Sequence, residues 1–130
     1  MTMLIAIALG GALGALGRHF LAGWVMGAVG GGFPWGIVAV NVLGSFLMGA
    51  LIEVFARWGA PFAEARAFLA VGLLGGFTTF STFSLDTVLL IERGQLVQAA
   101  GYVGGSVVLA VGGLYLGMAL VRLIAGGAAA

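Results

Sequence analysis

The chain has 130 residues; 62% are hydrophobic, only 7% are charged, 25 are glycine and none is cysteine. A soluble domain carries about 25% charged residues, so this composition excludes a soluble globular fold. High hydrophobicity with a net charge of +1 also excludes disorder and a basic field for nucleic acid. What remains is one small integral membrane domain, too short for two, with no disulfide, thiol chemistry or thiolate metal site.

A bilayer core takes about 20 apolar residues per helix. Four spans are expected, at residues 4–29, 35–56, 66–91 and 96–124. Gly30-Gly31-Gly32-Phe33-Pro34 ends the first. A polar connection at 57–65 holds Pro61 and Glu64, Glu92-Arg93-Gly94-Gln95 forms the last turn, and 126–130 is a tail. Span length and the lack of alternating polarity favour helices, which bond every backbone group internally. The N-terminus has no positive region before its apolar run, so it reads as a mature span and not a cleaved signal.

All five basic residues are arginine. Arg57, Arg66 and Arg122 fall on the face shared by the termini, Arg93 on the other, and Arg18 partway inside the first span. Orientation follows this asymmetry, and here the bias is weak. Two readings stand: copies inserted both ways and paired antiparallel, or an ordinary protein with both termini inside.

Glycines recur four apart: Gly10 and Gly14, Gly23 and Gly27, Gly72 and Gly76, Gly101 and Gly105, Gly113 and Gly117, with Ser45 and Gly49 alongside. Such pairs form flat strips where helices approach closely. Four helices bury little alone, so a homo-oligomer is expected.

The third span carries the chemistry. Gly75-Gly76-Phe77-Thr78-Thr79-Phe80-Ser81-Thr82-Phe83-Ser84 places glycines and five hydroxyls near mid-bilayer. Both residue types lower helix propensity. A break near residues 75–79 is expected, of the kind that lines a cavity or binds an ion. A kinked helix with hydroxyls bonded back to its own carbonyls is the other reading. Phe80 and Phe83, three apart, share one face. They are either packing aromatics or two positive ring edges offered to an anion.

Asn41 is the only asparagine, set among aliphatic residues. It either joins two helices or donates its amide to a permeating anion. Arg18 is a functional candidate as an intramembrane charge, unless it snorkels to the interface. His19 beside it is expected to point elsewhere. Asp86, one turn past Phe83, is expected in a wet vestibule; Glu53 and Glu92, near span ends, are expected to be solvated, with a cavity-facing position as the other reading for Glu53. Tyr102 and Ser106 form one row that continues into apolar Ala110. No catalytic constellation is visible, so an enzyme is not expected.

The chain resembles the small four-span fluoride channels of the Fluc or CrcB type over nearly its whole length. The likeness rests on the glycine-rich run 10–17 with Arg18, on Gly36 and Val40-Asn41-Val42-Leu43-Gly44-Ser45-Phe46, and on Gly75-Gly76-Phe77-Thr78-Thr79-Phe80-Ser81-Thr82-Phe83-Ser84. The resemblance implies an all-α membrane protein with a third helix broken mid-membrane. It implies an antiparallel, dual-topology homodimer in the plasma (inner) membrane, with two pores. It further implies a structural Na+ held by the carbonyls of Gly75 and Thr78, and a fluoride path along Asn41, Phe80, Phe83, Ser81, Thr82, Tyr102 and Ser106. Arg18 matches the family arginine. Ile37 and Ala110 stand where the family often has hydroxyls, which puts the outer half of the polar track in question.

Fluoride is small and strongly hydrated, so hydroxyls and an amide must replace its water. A buried cation would help the anion cross. Passive export is therefore expected: HF enters in acid, dissociates, and fluoride leaves down its gradient. A proton-coupled small multidrug transporter is the alternative, but it needs a carboxylate in the first span, which here holds Arg18 and none. A purely structural bundle would leave the hydroxyl cluster without a role.

Overall fold

The structure, a computed structural model, describes residues 1–127; positions 128–130 of the expected tail lie outside the described residues. Helix α1 is Thr2–Val29 and α2 is Trp35–Trp58. Helix α3 covers residues 63–77, α4 is Phe80–Glu92 and α5 is Leu96–Gly127. All the regular structure among the described residues is helical.

The ends follow from local chemistry. Gly94 takes a φ of 73°, which L side chains avoid. This reversal lets the Gly94 N–H donate to the Ile91 carbonyl and the Gln95 N–H to the Leu90 carbonyl, both at 2.9 Å. Pro34, with no N–H to satisfy, stands before α2. Helix α3 starts at Ala63, earlier than expected, because Glu64 sits in its first turn, where a negative charge suits the helix dipole. The Thr2 hydroxyl donates to the Glu64 carboxylate at 3.1 Å and ties α3 to the start of α1. The connection after α2 shrinks to residues 59–62.

Helix α3 is not uniform. Its Ala67–Leu74 segment is π-helical, and the Gly75 N–H reaches back to the Ala70 carbonyl. Such widened turns leave carbonyls offset from the ordinary ladder.

Helix α1 packs on α3, and α2 on α5. Glycine makes both contacts possible. A Cβ at Gly10 would strike the Phe68 carbonyl, and one at Gly14 the Leu73 carbonyl. A Cβ at Gly49 would strike the Leu114 carbonyl, and one at Gly117 the Phe46 carbonyl. Gly72 and Gly76 meet the backbone of α1 in the same way. The remaining expected pairs behave differently: Gly23, Gly27, Gly101 and Gly105 face open space within the protomer.

Few side chains are fully buried; Val40, Leu90 and Tyr102 are the largest. Phe20, Trp24, Tyr115, Leu123 and many other apolar residues are exposed. Water would not tolerate that surface, but lipid does. Four helical stretches are long and apolar enough to cross a membrane, the third being Ala63–Glu92 taken through its break. The chain is a multi-pass membrane protein.

Candidate functional site

The third span breaks at Thr78 and Thr79. Thr78 has φ −77° and ψ 157°, and Thr79 has φ −150° and ψ 123°, both extended. The expected break near 75–79 therefore falls at the hydroxyl end of that window. Gly75 and Gly76 stay helical, because close approach to α1, not a turn, is what Gly76 supplies.

Two neighbouring helices mend the break. The Asn41 Oδ1 accepts from the Thr79 N–H at 2.8 Å, and Nδ2 donates to the Thr79 carbonyl at 3.0 Å. The amide thus acts as a strand-like partner for one extended residue. Arg18 Nη1 donates to the Thr78 carbonyl at 3.1 Å, so Arg18 is tied inward and does not snorkel. Gly44 lets α2 come near: a Cβ there would strike the Thr78 methyl and the Phe77 ring.

The hydroxyls complete the repair. Thr79 is the N-cap of α4, its Oγ1 accepting from the Thr82 N–H at 3.2 Å. The same hydroxyl lies 3.1 Å from Thr82 Oγ1 and 3.2 Å from Ser81 Oγ. Thr78 Oγ1 donates to the Leu74 carbonyl at 3.1 Å and Ser84 Oγ to the Phe80 carbonyl at 2.9 Å. Back-bonding to a carbonyl one turn earlier is thus real at Thr78 and Ser84, beside the break and not instead of it.

Of the expected path residues, Asn41, Phe80, Phe83 and Ser106 line one cavity, Thr82 lines another, and Ser81 and Tyr102 line neither. The first, of about 320 Å³, is lined by Asn41, Thr79, Phe80, Phe83, Ser106 and Ala110, among others. The Phe80 and Phe83 rings lie 5.3 Å apart at 38°. Phe83 is 9% exposed and Phe80 78%, so the first ring is packed and the second is open to whatever covers this face. Ser106 is buried, and its Oγ finds no partner among the described residues. A buried orphan hydroxyl is costly and calls for a partner such as water or an ion.

The second cavity, of about 530 Å³, lies between α1, α2 and α4. Arg18, His19, Ile37, Thr82 and Asp86 line it. His19 therefore shares this space with Arg18, contrary to the expectation that it points elsewhere. Ile37 lines this cavity, while Ala110 lines the other.

Tyr102 sits between the two groups. It is 1% exposed, its hydroxyl donates to Asp86 Oδ2 at 3.2 Å, and its ring lies 5.1 Å from Phe83 and 5.6 Å from Phe33. Ser81 and Gly75 line neither cavity. Gly75 is nevertheless affected by the break: in a continuous helix its carbonyl would take the Thr79 N–H, which Asn41 engages instead.

Glu53 departs from the expected solvated or cavity-facing position. It is 7% exposed and paired with Arg57 Nε at 3.0 Å and Arg122 Nη2 at 2.9 Å, tying α2 to α5. The Glu53–Arg57 spacing of four is readable in sequence; the Arg122 partner is not.

Together these features define a polytopic membrane protein in which an interrupted helix is patched by uncharged groups and one arginine. The family model described as "CrcB-like protein, Camphor Resistance (CrcB)" matches residues 5–118. The chain belongs to the CrcB family. It is 53% identical over 122 residues to a protein of Rhodospirillum centenum named fluoride-specific ion channel FluC, covering 94% of this chain and 97% of that one. It is 54% identical over 124 residues to a protein of the same name from Nitrobacter winogradskyi, covering 95% and 98%. A third, also named fluoride-specific ion channel FluC, from Agrobacterium fabrum, is 47% identical over 122 residues, covering 94% and 98%.

Proposed function

We propose that this chain is a passive fluoride channel that exports F⁻ across the plasma membrane and relieves fluoride toxicity. The names of its relatives support the cargo, and the smaller cavity supports the route. The observation that carries the reading is the buried, unpartnered Ser106 hydroxyl beside Asn41 and the two phenylalanine rings. Its lining is neutral. Hydroxyl and amide donors and positive ring edges hold a small anion without trapping it. Nδ2 of Asn41 has two hydrogens; one is spent on Thr79, leaving one for the ion.

The working unit is an antiparallel, dual-topology homodimer with two pores. Phe80 is the residue that most needs a partner, being largely exposed beside the break. Thr82 and Ser81 meet the ion on the vestibule side, Tyr102 holds Phe83 and Asp86 in place, and Arg18 gives the vestibule its positive charge. A structural Na⁺ fits the carbonyls of Gly75 and Thr78. The break relieves Gly75 of its helical donor, and uncoiled carbonyls suit a monovalent cation. Thr78 also accepts from Arg18, which leaves its carbonyl a second lone pair for the cation. One chain offers two carbonyls, so the second copy must supply the rest. Bound there, the cation would raise the local potential for an anion.

The test is fluoride efflux from vesicles holding the purified protein. Loss of one hydrogen bond to a charged ligand is worth a factor of about ten or more, and Ser106→Ala is expected to slow efflux by that much. Phe80→Ile is expected to do the same with the dimer intact. Wild-type efflux in both variants would remove these residues from the path.

A further inference from the structure

Ser45 and Gly49, four apart on α2, read in the sequence as one strip of small residues, but the structure gives them different surroundings. Gly49 does the packing: a Cβ there would strike the Leu114 carbonyl of α5. Ser45 lines the smaller cavity together with Asn41, Ser106 and Ala110. Residues four apart on a helix are about 6 Å apart along its axis. Asn41 and Ser45 therefore offer an amide and a hydroxyl on consecutive turns of one wall.

Other polar groups of this cavity are already engaged. The Thr78 hydroxyl donates to the Leu74 carbonyl and the Thr79 hydroxyl to Thr82 Oγ1, both at 3.1 Å. On α5 the row of Tyr102 and Ser106 runs into Ala110, with Val107 and Val111 beside it. Past Ser106 that wall has no side-chain donor among the described lining residues. Thr78, Ser84 and Thr87 bond back to a carbonyl one turn earlier, and Ser45 makes no such bond among the described residues.

The helix contacts fix the depth of Ser45. Gly113 meets Val42 and Phe46, and Gly117 meets Phe46 and Ala50, so α2 and α5 run parallel. Val42 and Phe46 bracket Ser45, which places it level with Gly113, about 4.5 Å past Ala110. A helical side chain leans toward the N-terminus of its helix, here back toward the level of Ala110.

We propose that Ser45 is a further fluoride-binding residue, supplying from α2 the donor that α5 lacks at Ala110. Ser106, Asn41 and Ser45 then follow one another at intervals of about one helical turn. The route past the break runs along α2. This rests on the reading of the chain as a fluoride channel and deepens it at the same site. A strongly hydrated ion needs a new donor for each water it loses, and a neutral hydroxyl gives one without holding the ion too tightly.

The experiment measures fluoride efflux from vesicles holding the full-length protein. Ser45→Ala removes one oxygen and leaves a small residue, so the contact at Gly49 is untouched. It should slow efflux about tenfold, the effect of one hydrogen bond to an ion. Ser45→Thr keeps the hydroxyl and should be clearly faster than Ser45→Ala. A packing role predicts the reverse order, because threonine is the bulkier residue. Adding Ala110→Ser to Ser45→Ala puts a hydroxyl on the facing wall and should recover most of the lost rate, which no packing role at position 45 would allow. Wild-type efflux in Ser45→Ala, a Ser45→Thr protein no faster than Ser45→Ala, or a double variant as slow as Ser45→Ala overturns the proposal and leaves the channel reading standing. No fluoride efflux from the wild-type protein overturns both.

Discussion

Asn41 and Thr79 exchange two hydrogen bonds, the Thr79 N–H donating to Oδ1 at 2.8 Å and Nδ2 donating to the Thr79 carbonyl at 3.0 Å. A side chain on α2 thereby serves both backbone groups of the residue at which the third span loses its helix. In a bilayer interior no water is present to take that role. The break persists because α2 and α1 bring an amide and a guanidinium to it.

Asn41→Asp keeps an acceptor for the Thr79 N–H and loses the donor for its carbonyl. It also places a negative charge beside the path. Folding yield should fall and fluoride efflux drop by about tenfold or more, since an unmatched charge in such a site is costly. Asn41→Ala removes both bonds without adding a charge and should cost less in stability than Asn41→Asp. Thermal unfolding of the two variants in detergent, read beside vesicle efflux, checks the order.

The glycine contacts predict opposite signs at different sites. Gly49→Val drives a side chain into the Leu114 carbonyl and should abolish the α2–α5 contact, seen as loss of monodisperse protein. Gly27→Ala meets nothing within the protomer, and alanine is favoured over glycine in a helix by about 1 kcal/mol. That variant should melt at the wild-type temperature or above.

Glu53 joins two guanidinium charges with one carboxylate. Glu53→Gln leaves Arg57 and Arg122 without it and should lower the melting temperature more than Arg57→Gln, which leaves the Arg122 pair in place. Because the guanidinium groups are partly exposed, added salt should narrow the gap between wild type and Glu53→Gln. Thermal unfolding at low and high salt measures it.

Much of this was readable from sequence because the bilayer imposes simple rules. Long apolar runs broken by Gly30, Gly59 and Gly94 give the spans, and glycines beside hydroxyls give the interruption. Sequence could not say which glycines bend the chain and which let backbones touch; Gly76 does the second. Nor could it pair Arg18 with Thr78, or Arg122 with Glu53, since those contacts join helices 60 and 69 residues apart in the chain. The π-helical stretch from Ala67 to Leu74 has no signal in a run of ordinary apolar residues. Candidate residues on one helix stripe were legible, but their division between two cavities depends on how α4 is rotated.

The central claim is that a patched gap in the third span passes a small halide by substituting neutral donors for its water. The most direct measurement compares fluoride with chloride efflux from the same vesicles, both loaded, with wild-type protein and an ionophore to carry the countercharge. Fluoride should empty while chloride is retained. Loss of both ions at similar rates, or retention of both, would contradict the account.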